Sequence, residues 1–80
     1  MRLPRDLSGA RLANALRVFG YAPTRQTGDH MRLTTEQGGQ HHITIPLHDA
    51  LRVGTLSTIL TDVAAHFSIT RDAVLTELAL

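Results

Sequence analysis

The residues best suited to chemistry lie in one short segment, residues 28–33. Glycine adopts backbone angles that a side chain forbids and aspartate favours turns, so Gly28 and Asp29 predict a tight turn that leads into a strand. Side chains alternate between the two faces of a strand, which places His30 and Arg32 together on one face. An imidazole beside a guanidinium on a rigid strand is suited to chemistry on a phosphodiester.

RNA supplies its own nucleophile for such chemistry, because a 2′-hydroxyl lies next to every phosphate. Cleavage needs a base for that hydroxyl, positive charge for the pentavalent phosphate and an acid for the leaving 5′-oxygen. Histidine, with an ordinary pKa of about 6.5, can be either base or acid near neutral pH. We therefore expect His30 to be the general acid/base and Arg32 to stabilise charge, without a metal. The alternative is that His30 is a polar strand residue without a role, and the sequence does not identify a second proton-transfer group.

Length and composition limit the class of protein. Eighty residues make one small domain, predicted to span 1–80. The absence of cysteine excludes a disulfide framework and a thiolate metal site, and it fits the cytoplasm, where we expect the protein. No apolar run reaches the roughly 18 residues of a transmembrane helix, so no membrane association is expected. All eight basic residues are arginine, which suits phosphate contacts, although a GC-rich genome would give the same usage.

The apolar periodicity predicts both helices and strands. Apolar residues recur at helical spacing after Ser8, a suitable N-cap, and this helix ends at Gly20. The clearest helical pattern begins at Gly54-Thr55. A last helix is capped by Thr70. Residues 1–7 are predicted to be an exposed lead-in, and His66 a solvated helix residue. The predicted helices are 8–20, 54–67 and 70–80, and the predicted strands are 21–26, 30–36 and 40–45.

The strand register follows from the apolar pattern. If Leu33 and Ile43 share the core face, a three-residue loop pairs Thr34 with His42 and brings His30 near Pro46, although a bulge would shift the pairing by one. Pro23 cannot donate to a ladder, so its strand should lie at the sheet edge. Helices on one face of a three-stranded antiparallel sheet give an α+β fold with the double-stranded-RNA-binding-domain topology.

Three sequence blocks resemble the HicA toxins, small ribonucleases of bacterial type II toxin–antitoxin pairs. The glycine–small residue–histidine motif, the strand–proline–x–histidine motif and a Gly-Thr-Leu helix opening occur in the family's order and spacing over about residues 8–67. Serine is common in the family where Asp29 stands, and histidine or isoleucine where Met31 stands. The blocks are Arg25-Gln26-Thr27-Gly28-Asp29-His30, His42-Ile43-Thr44-Ile45-Pro46-Leu47-His48 and Val53-Gly54-Thr55-Leu56-Ser57-Thr58-Ile59-Leu60.

The resemblance implies a double-stranded-RNA-binding-like fold, cleavage of mRNA and neutralisation by a HicB-type antitoxin. Together with the chemistry argued above, it predicts a metal-independent endoribonuclease. It supports His30 as the catalytic residue, with Gly28 and Asp29 from the same block in support, and the chemistry argued above adds Arg32. Residues 70–80 are then an extension found in only part of the family. We expect no cofactor and, when the toxin is free, a monomer.

Other residues are candidates for RNA contact. His48 matches a family block, so it either fixes its loop or contacts RNA, unless it is a plain turn residue. His42 and His48 lack an acid or thiolate that would complete a metal site, so no metal is expected. Free backbone N–H groups at a helix start suit a phosphate, but an ordinary cap would look the same. The predicted RNA-binding residues are Arg25, Arg32, His42, His48, Gly54 and Thr55.

Two classes of function stay open at this point. The first is an endoribonuclease toxin held inactive by a partner. The second is a non-catalytic RNA- or protein-binding module on the same fold, because a fold alone does not decide function. His30 favours the first class, since pure binding has no need of an imidazole at that position.

Overall fold

A computed structural model, which describes residues 3–80, has the predicted order of helices and strands. Three helices and three strands form one α+β unit, with a short 3₁₀ turn continuing the first helix through Leu16–Phe19. No helix among the described residues is long and apolar enough to cross a membrane. The elements are α1 (Gly9–Ala15), β1 (Ala22–Thr27), β2 (His30–Thr35), β3 (His41–Pro46), α2 (Val53–Phe67) and α3 (Arg71–Leu78).

The sheet has the strand order β1-β2-β3, and both pairings are antiparallel. Thr34 pairs with His42 and His30 with Pro46, so the predicted register is confirmed. β1 is an edge strand, as Pro23 predicted, and its bulge lies between Pro23 and Arg25. The register between β2 and β3 has no shift, so the end of β3 lies directly beside His30.

The core lies between one face of the sheet and the helices. Apolar side chains of β2 and β3 are buried against α1 and α2, and α3 packs on α2 and the 3₁₀ turn. His30, Arg32, His42 and Thr44 of the same strands face outward and are exposed, whereas Thr35 is buried. The sheet therefore has one covered face and one open face, as the alternating pattern predicted. Central core residues are Leu12, Leu16, Leu33, Ile45, Leu56, Leu60, Val63 and Val74.

The helix ends are mostly capped as predicted. The Ser8 hydroxyl accepts a hydrogen bond from the Arg11 backbone N–H at 3.0 Å, and the Thr70 hydroxyl accepts one from Ala73 at 3.0 Å. Gly20 has a φ of 83°, which suits glycine and ends the first helical segment. The start of α2 is different: it begins at Val53 after Arg52, with no side-chain cap, so Thr55 is not its cap.

The prediction of an exposed lead-in is confirmed for Arg5 and Asp6 and wrong for Leu7, and Met1 and Arg2 lie outside the described residues. Leu7 is buried at 3% exposure, and its carbonyl accepts a 2.8 Å hydrogen bond from the Leu51 N–H. Leu51 is itself buried, so the loop between β3 and α2 is held against the N-terminal segment. Neither segment has a periodic pattern, and this contact between them was therefore not predicted.

The prediction of a solvated His66 was also wrong. Its ring stacks on His41 with centroids 4.4 Å apart, and its Nε2 lies 2.9 Å from the Gln37 carbonyl. His41 Nδ1 is in turn 2.7 Å from the hydroxyl of buried Tyr21. Burial, with a smaller contribution from the Asp62 carboxylate, raises the pKa of Tyr21 to about 12, so this phenol stays protonated at neutral pH. This imidazole cluster lies on the covered side of the sheet and joins it to α2.

Candidate functional site

One carboxylate on the open side of the molecule contacts two histidines. Asp29 Oδ1 lies 3.0 Å from His30 Nδ1, and Asp29 Oδ2 lies 3.3 Å from His48 Nε2. Carboxylate oxygens can only accept, so the ring nitrogen that faces Asp29 must carry the hydrogen for either contact to be a hydrogen bond. The opposite nitrogen of each ring, His30 Nε2 and His48 Nδ1, has no protein partner within the described residues.

The turn before β2 positions Asp29 and His30. Gly28 has a φ of 59°, a left-handed conformation that favours glycine, and its carbonyl accepts a 3.3 Å hydrogen bond from the Gln26 side chain. His30 is then the first residue of β2 and pairs with Thr27 on one side and Pro46 on the other. Its backbone is thus fixed by both neighbouring strands, as a positioned catalytic group requires.

His48 lies in the loop after β3, and backbone hydrogen bonds fix that loop. The Leu47 N–H donates to the Asp29 carbonyl at 2.6 Å, and the His48 carbonyl accepts from the Gly9 N–H at 2.9 Å. Gly9 itself is packed so closely on the Pro46 carbonyl that it has no room for a Cβ. The loop is therefore held between the β2 turn and the start of α1, which places His48 beside Asp29.

All three side chains are open to a large substrate. The exposed fractions are 57% for His30, 61% for Asp29 and 54% for His48. A small molecule would find little enclosure at this site, whereas a polymer lying across the sheet would reach both rings. The geometry therefore fits a macromolecular substrate better than a small one.

Two arginines lie opposite each other near this cluster. Arg25 of β1 is the register partner of Arg32 of β2, and both are exposed. Among residues 3–80, neither guanidinium forms an ion pair. Like charges directly opposite on neighbouring strands are unfavourable, and a bound anion would relieve that repulsion. The pair is thus suited to contact a phosphate.

The remaining predicted site residues are not joined to the cluster. His42 lies on the open face, but its Nδ1 is 2.7 Å from the Thr34 hydroxyl. Gly54 and Thr55 lie in the first turn of α2, where Gly54 is exposed, and no hydrogen bond or ion pair between described residues links them to Asp29. Their predicted contact with RNA stays a prediction. Within residues 3–80, no group of three or more His, Cys, Asp or Glu side chains is placed to hold a metal ion.

The contact between His48 and Asp29 was not predicted from the sequence. The predicted register already placed His30 beside Pro46, and His48 follows Pro46 by two residues, so the signal was present. The sequence pattern does not predict the path of the loop after Pro46, because that path depends on the hydrogen bonds donated by the Gly9 and Leu47 N–H groups. Asp29, predicted to be a supporting residue, is the group that connects the two imidazoles.

Fold and site together define a small α+β protein in which two histidines contact one aspartate beside an open, arginine-bearing sheet face. In a comparison with protein-family models, residues 9–64 match the HicA toxin of bacterial toxin–antitoxin systems. This match covers more than half of the chain and includes all three sequence blocks, so the chain belongs to the HicA toxin family. No curated protein and no solved structure matches the chain. Helix α3 lies beyond the matched residues.

Proposed function

We propose that this HicA toxin is a metal-independent endoribonuclease that cleaves mRNA with His30 as general acid/base. The observation that carries the proposal is the contact between His30 and Asp29 on the open sheet face. Asp29 occupies Nδ1 and so fixes the ring orientation, which leaves Nε2 for the substrate. An imidazole held in this way can exchange a proton with a substrate hydroxyl near neutral pH.

The arginine pair supports RNA as the substrate. Arg32 is two residues along β2 from His30, on the same face, and Arg25 lies opposite it. A phosphate bound by these guanidiniums would bring its neighbouring ribose toward His30, and the positive charge would stabilise the pentavalent phosphate. Residues 1–56 carry a net charge of about +3 and residues 57–80 about −2, which favours RNA on the sheet over RNA on the C-terminal helices.

A non-catalytic binding module is the second candidate. The paired arginines alone would serve such a module equally well. The module does not account for Asp29, because a carboxylate adds negative charge to the surface and weakens its attraction for RNA. A carboxylate that orients imidazoles is common in proton-transfer sites, and this observation favours catalysis.

A single 2′-deoxy substitution tests the proposed function. Cleavage sites are first mapped on an RNA with wild-type toxin in EDTA, and the RNA is then resynthesised with a 2′-deoxy nucleotide 5′ of one mapped phosphate. We expect cleavage to be lost at that site and retained at the unmodified sites, which are the internal control. Cleavage at the substituted site, or loss of all activity in EDTA, would contradict attack by the 2′-hydroxyl without a metal.

The proposal includes a HicB-type antitoxin that covers the site. Most apolar side chains of α1, α2 and α3 are buried in the core, and Val53 at the start of α2 is the exception at 63% exposure among the large apolar residues described in these helices. The open face offers the opposed Arg25 and Arg32, which an acidic partner would complement. We therefore propose that the antitoxin buries His30, competes with RNA and acts where mRNA is translated, in the cytoplasm.

Hydrogen exchange of the toxin with and without its antitoxin tests this docking. We expect added protection in residues 22–35 and 46–49, and RNA should displace the antitoxin from catalytically inactive toxin in a competition assay. Protection confined to α2 and α3, with RNA and antitoxin bound together, would rule out occlusion of His30. That result would leave the endoribonuclease proposal intact, because the partner would then act at a distance.

A further inference from the structure

We propose that His48 is the second proton-transfer group of this site, acting on the same phosphodiester as His30. The inference rests on the proposed function. Its basis is that Asp29 contacts both imidazoles, His30 at 3.0 Å and His48 at 3.3 Å, through different carboxylate oxygens. From the sequence, His48 was predicted to contact RNA or to fix its loop, with a plain turn residue as the alternative.

The contacts with Asp29 leave one nitrogen of each ring for the substrate. His30 uses Nδ1 and His48 uses Nε2 to contact Asp29, so the nitrogens that remain are His30 Nε2 and His48 Nδ1. The proposed reaction uses one ring as an imidazolium and the other as a neutral imidazole, and both contact the same carboxylate. A site with one base and one acid is thus assembled around a single positioning residue, Asp29.

The two imidazoles account for both proton transfers of the cleavage reaction, and no further acid or base is needed. The neutral imidazole takes the proton of the 2′-hydroxyl while the 2′-oxygen forms a bond to phosphorus. The phosphorus–O5′ bond breaks, and the imidazolium gives its proton to the leaving O5′. The products are a 2′,3′-cyclic phosphate and a 5′-hydroxyl, and each ring returns to its starting state by proton exchange with water.

A structural role does not account for this arrangement. His48 and Asp29 are each more than half exposed, and exposed ion pairs contribute little to stability. The loop is already fixed by backbone hydrogen bonds of Leu47 and His48, which do not involve the ring. His42 gives a contrast on the same surface, because its Nδ1 contacts the Thr34 hydroxyl and not a carboxylate. The two histidines at Asp29 therefore have the geometry for coupled proton transfer, whereas His42 does not.

RNA with a bridging 5′-sulfur at a mapped cleavage site tests this pairing. A thiolate leaves without being protonated. Cleavage of the sulfur substrate therefore does not require the general acid, but it still requires the general base. His30→Ala and His48→Ala should each slow cleavage of ordinary RNA by about 10²- to 10⁴-fold. On the sulfur substrate we expect one of these variants to regain most of its rate and the other to stay slow, and the variant that recovers identifies the acid.

Two further variants separate proton transfer from loop structure. His48→Gln keeps an N–H that can donate to Asp29 but cannot transfer a proton, so it should be as slow as His48→Ala on ordinary RNA. Wild-type activity in His48→Gln would make the ring a structural element and overturn the inference. Asp49→Asn, which changes the exposed neighbour in the same loop, should cleave both substrates as wild type does. A fully 2′-deoxy analogue and a thermal unfolding curve confirm that each variant binds and folds.

The outcomes distinguish this inference from the proposed function. If His30→Ala is slow while His48→Ala has the wild-type rate, the inference is wrong and the endoribonuclease proposal stands. If sulfur restores neither variant or both, the two histidines do not divide the roles of acid and base, and the inference is again wrong. If His30→Ala cleaves ordinary RNA at the wild-type rate, the proposed function fails together with the inference.

Discussion

Cells expressing the His30→Ala toxin should grow normally, whereas the wild-type toxin should stop growth when the antitoxin is depleted. The reason is the loss of a positioned general acid/base, which slows a reaction by about 10²- to 10⁴-fold. His30 is 57% exposed and lies outside the core, so removing its ring leaves no buried cavity. The variant should therefore accumulate to the wild-type level and still bind the antitoxin.

The readouts are colony formation after induction and the unfolding temperature of the purified variant. Normal growth together with a wild-type unfolding temperature would support a catalytic role. Growth arrest by a folded His30→Ala toxin would contradict it. If the variant failed to fold, His30 would instead be a structural residue, which its exposure argues against.

Gly9→Ala should destabilise the protein, although the substitution adds a single methyl group. A Cβ at this position would overlap the backbone carbonyl of Pro46, and backbone atoms cannot rotate away as a side chain does. Alanine favours helices over glycine by about 1 kcal/mol, but overpacking costs typically up to about 3 kcal/mol. We expect the free energy of unfolding to fall by about 2 kcal/mol and cleavage to slow, because the displaced segment includes His48.

Gly54→Ala is the matched control, and urea denaturation measures both variants. Gly54 lies in the first turn of α2, and an added Cβ there would meet no atom within 4 Å. Alanine should therefore stabilise the protein, by about 0.5–1 kcal/mol. A Gly9→Ala protein as stable as the wild type would show that α1 does not approach Pro46 closely, and with it the proposed support of His48 would be lost.

The parts of the fold that follow a regular period could be predicted from the sequence. Leu33 and Ile43 were assigned to one face by alternation alone, and this predicted the register of β2 with β3. The caps at Ser8 and Thr70 follow from local hydrogen bonding, which needs only neighbouring residues. The polar face with His30 and Arg32 followed from the same alternation.

The parts that depend on distant contacts could not be predicted in this way. Leu7 is buried because the loop before α2 folds back on it, and His66 is partly covered because it stacks on His41 of β3. Both contacts join residues more than about 20 positions apart and follow no period. The placement of His48 belongs to the same class, since it requires the hydrogen bond from Gly9.

The most direct test of His30 as the general acid/base is the cleavage rate of one mapped RNA by purified wild-type and His30→Ala toxin, both in EDTA. We expect the wild-type protein to be fully active and to leave 2′,3′-cyclic phosphate ends. His30→Ala should be slower by at least about 100-fold and remain bound by the antitoxin. Equal rates for the two proteins, or a wild-type protein inactive in EDTA, would contradict metal-independent catalysis by His30.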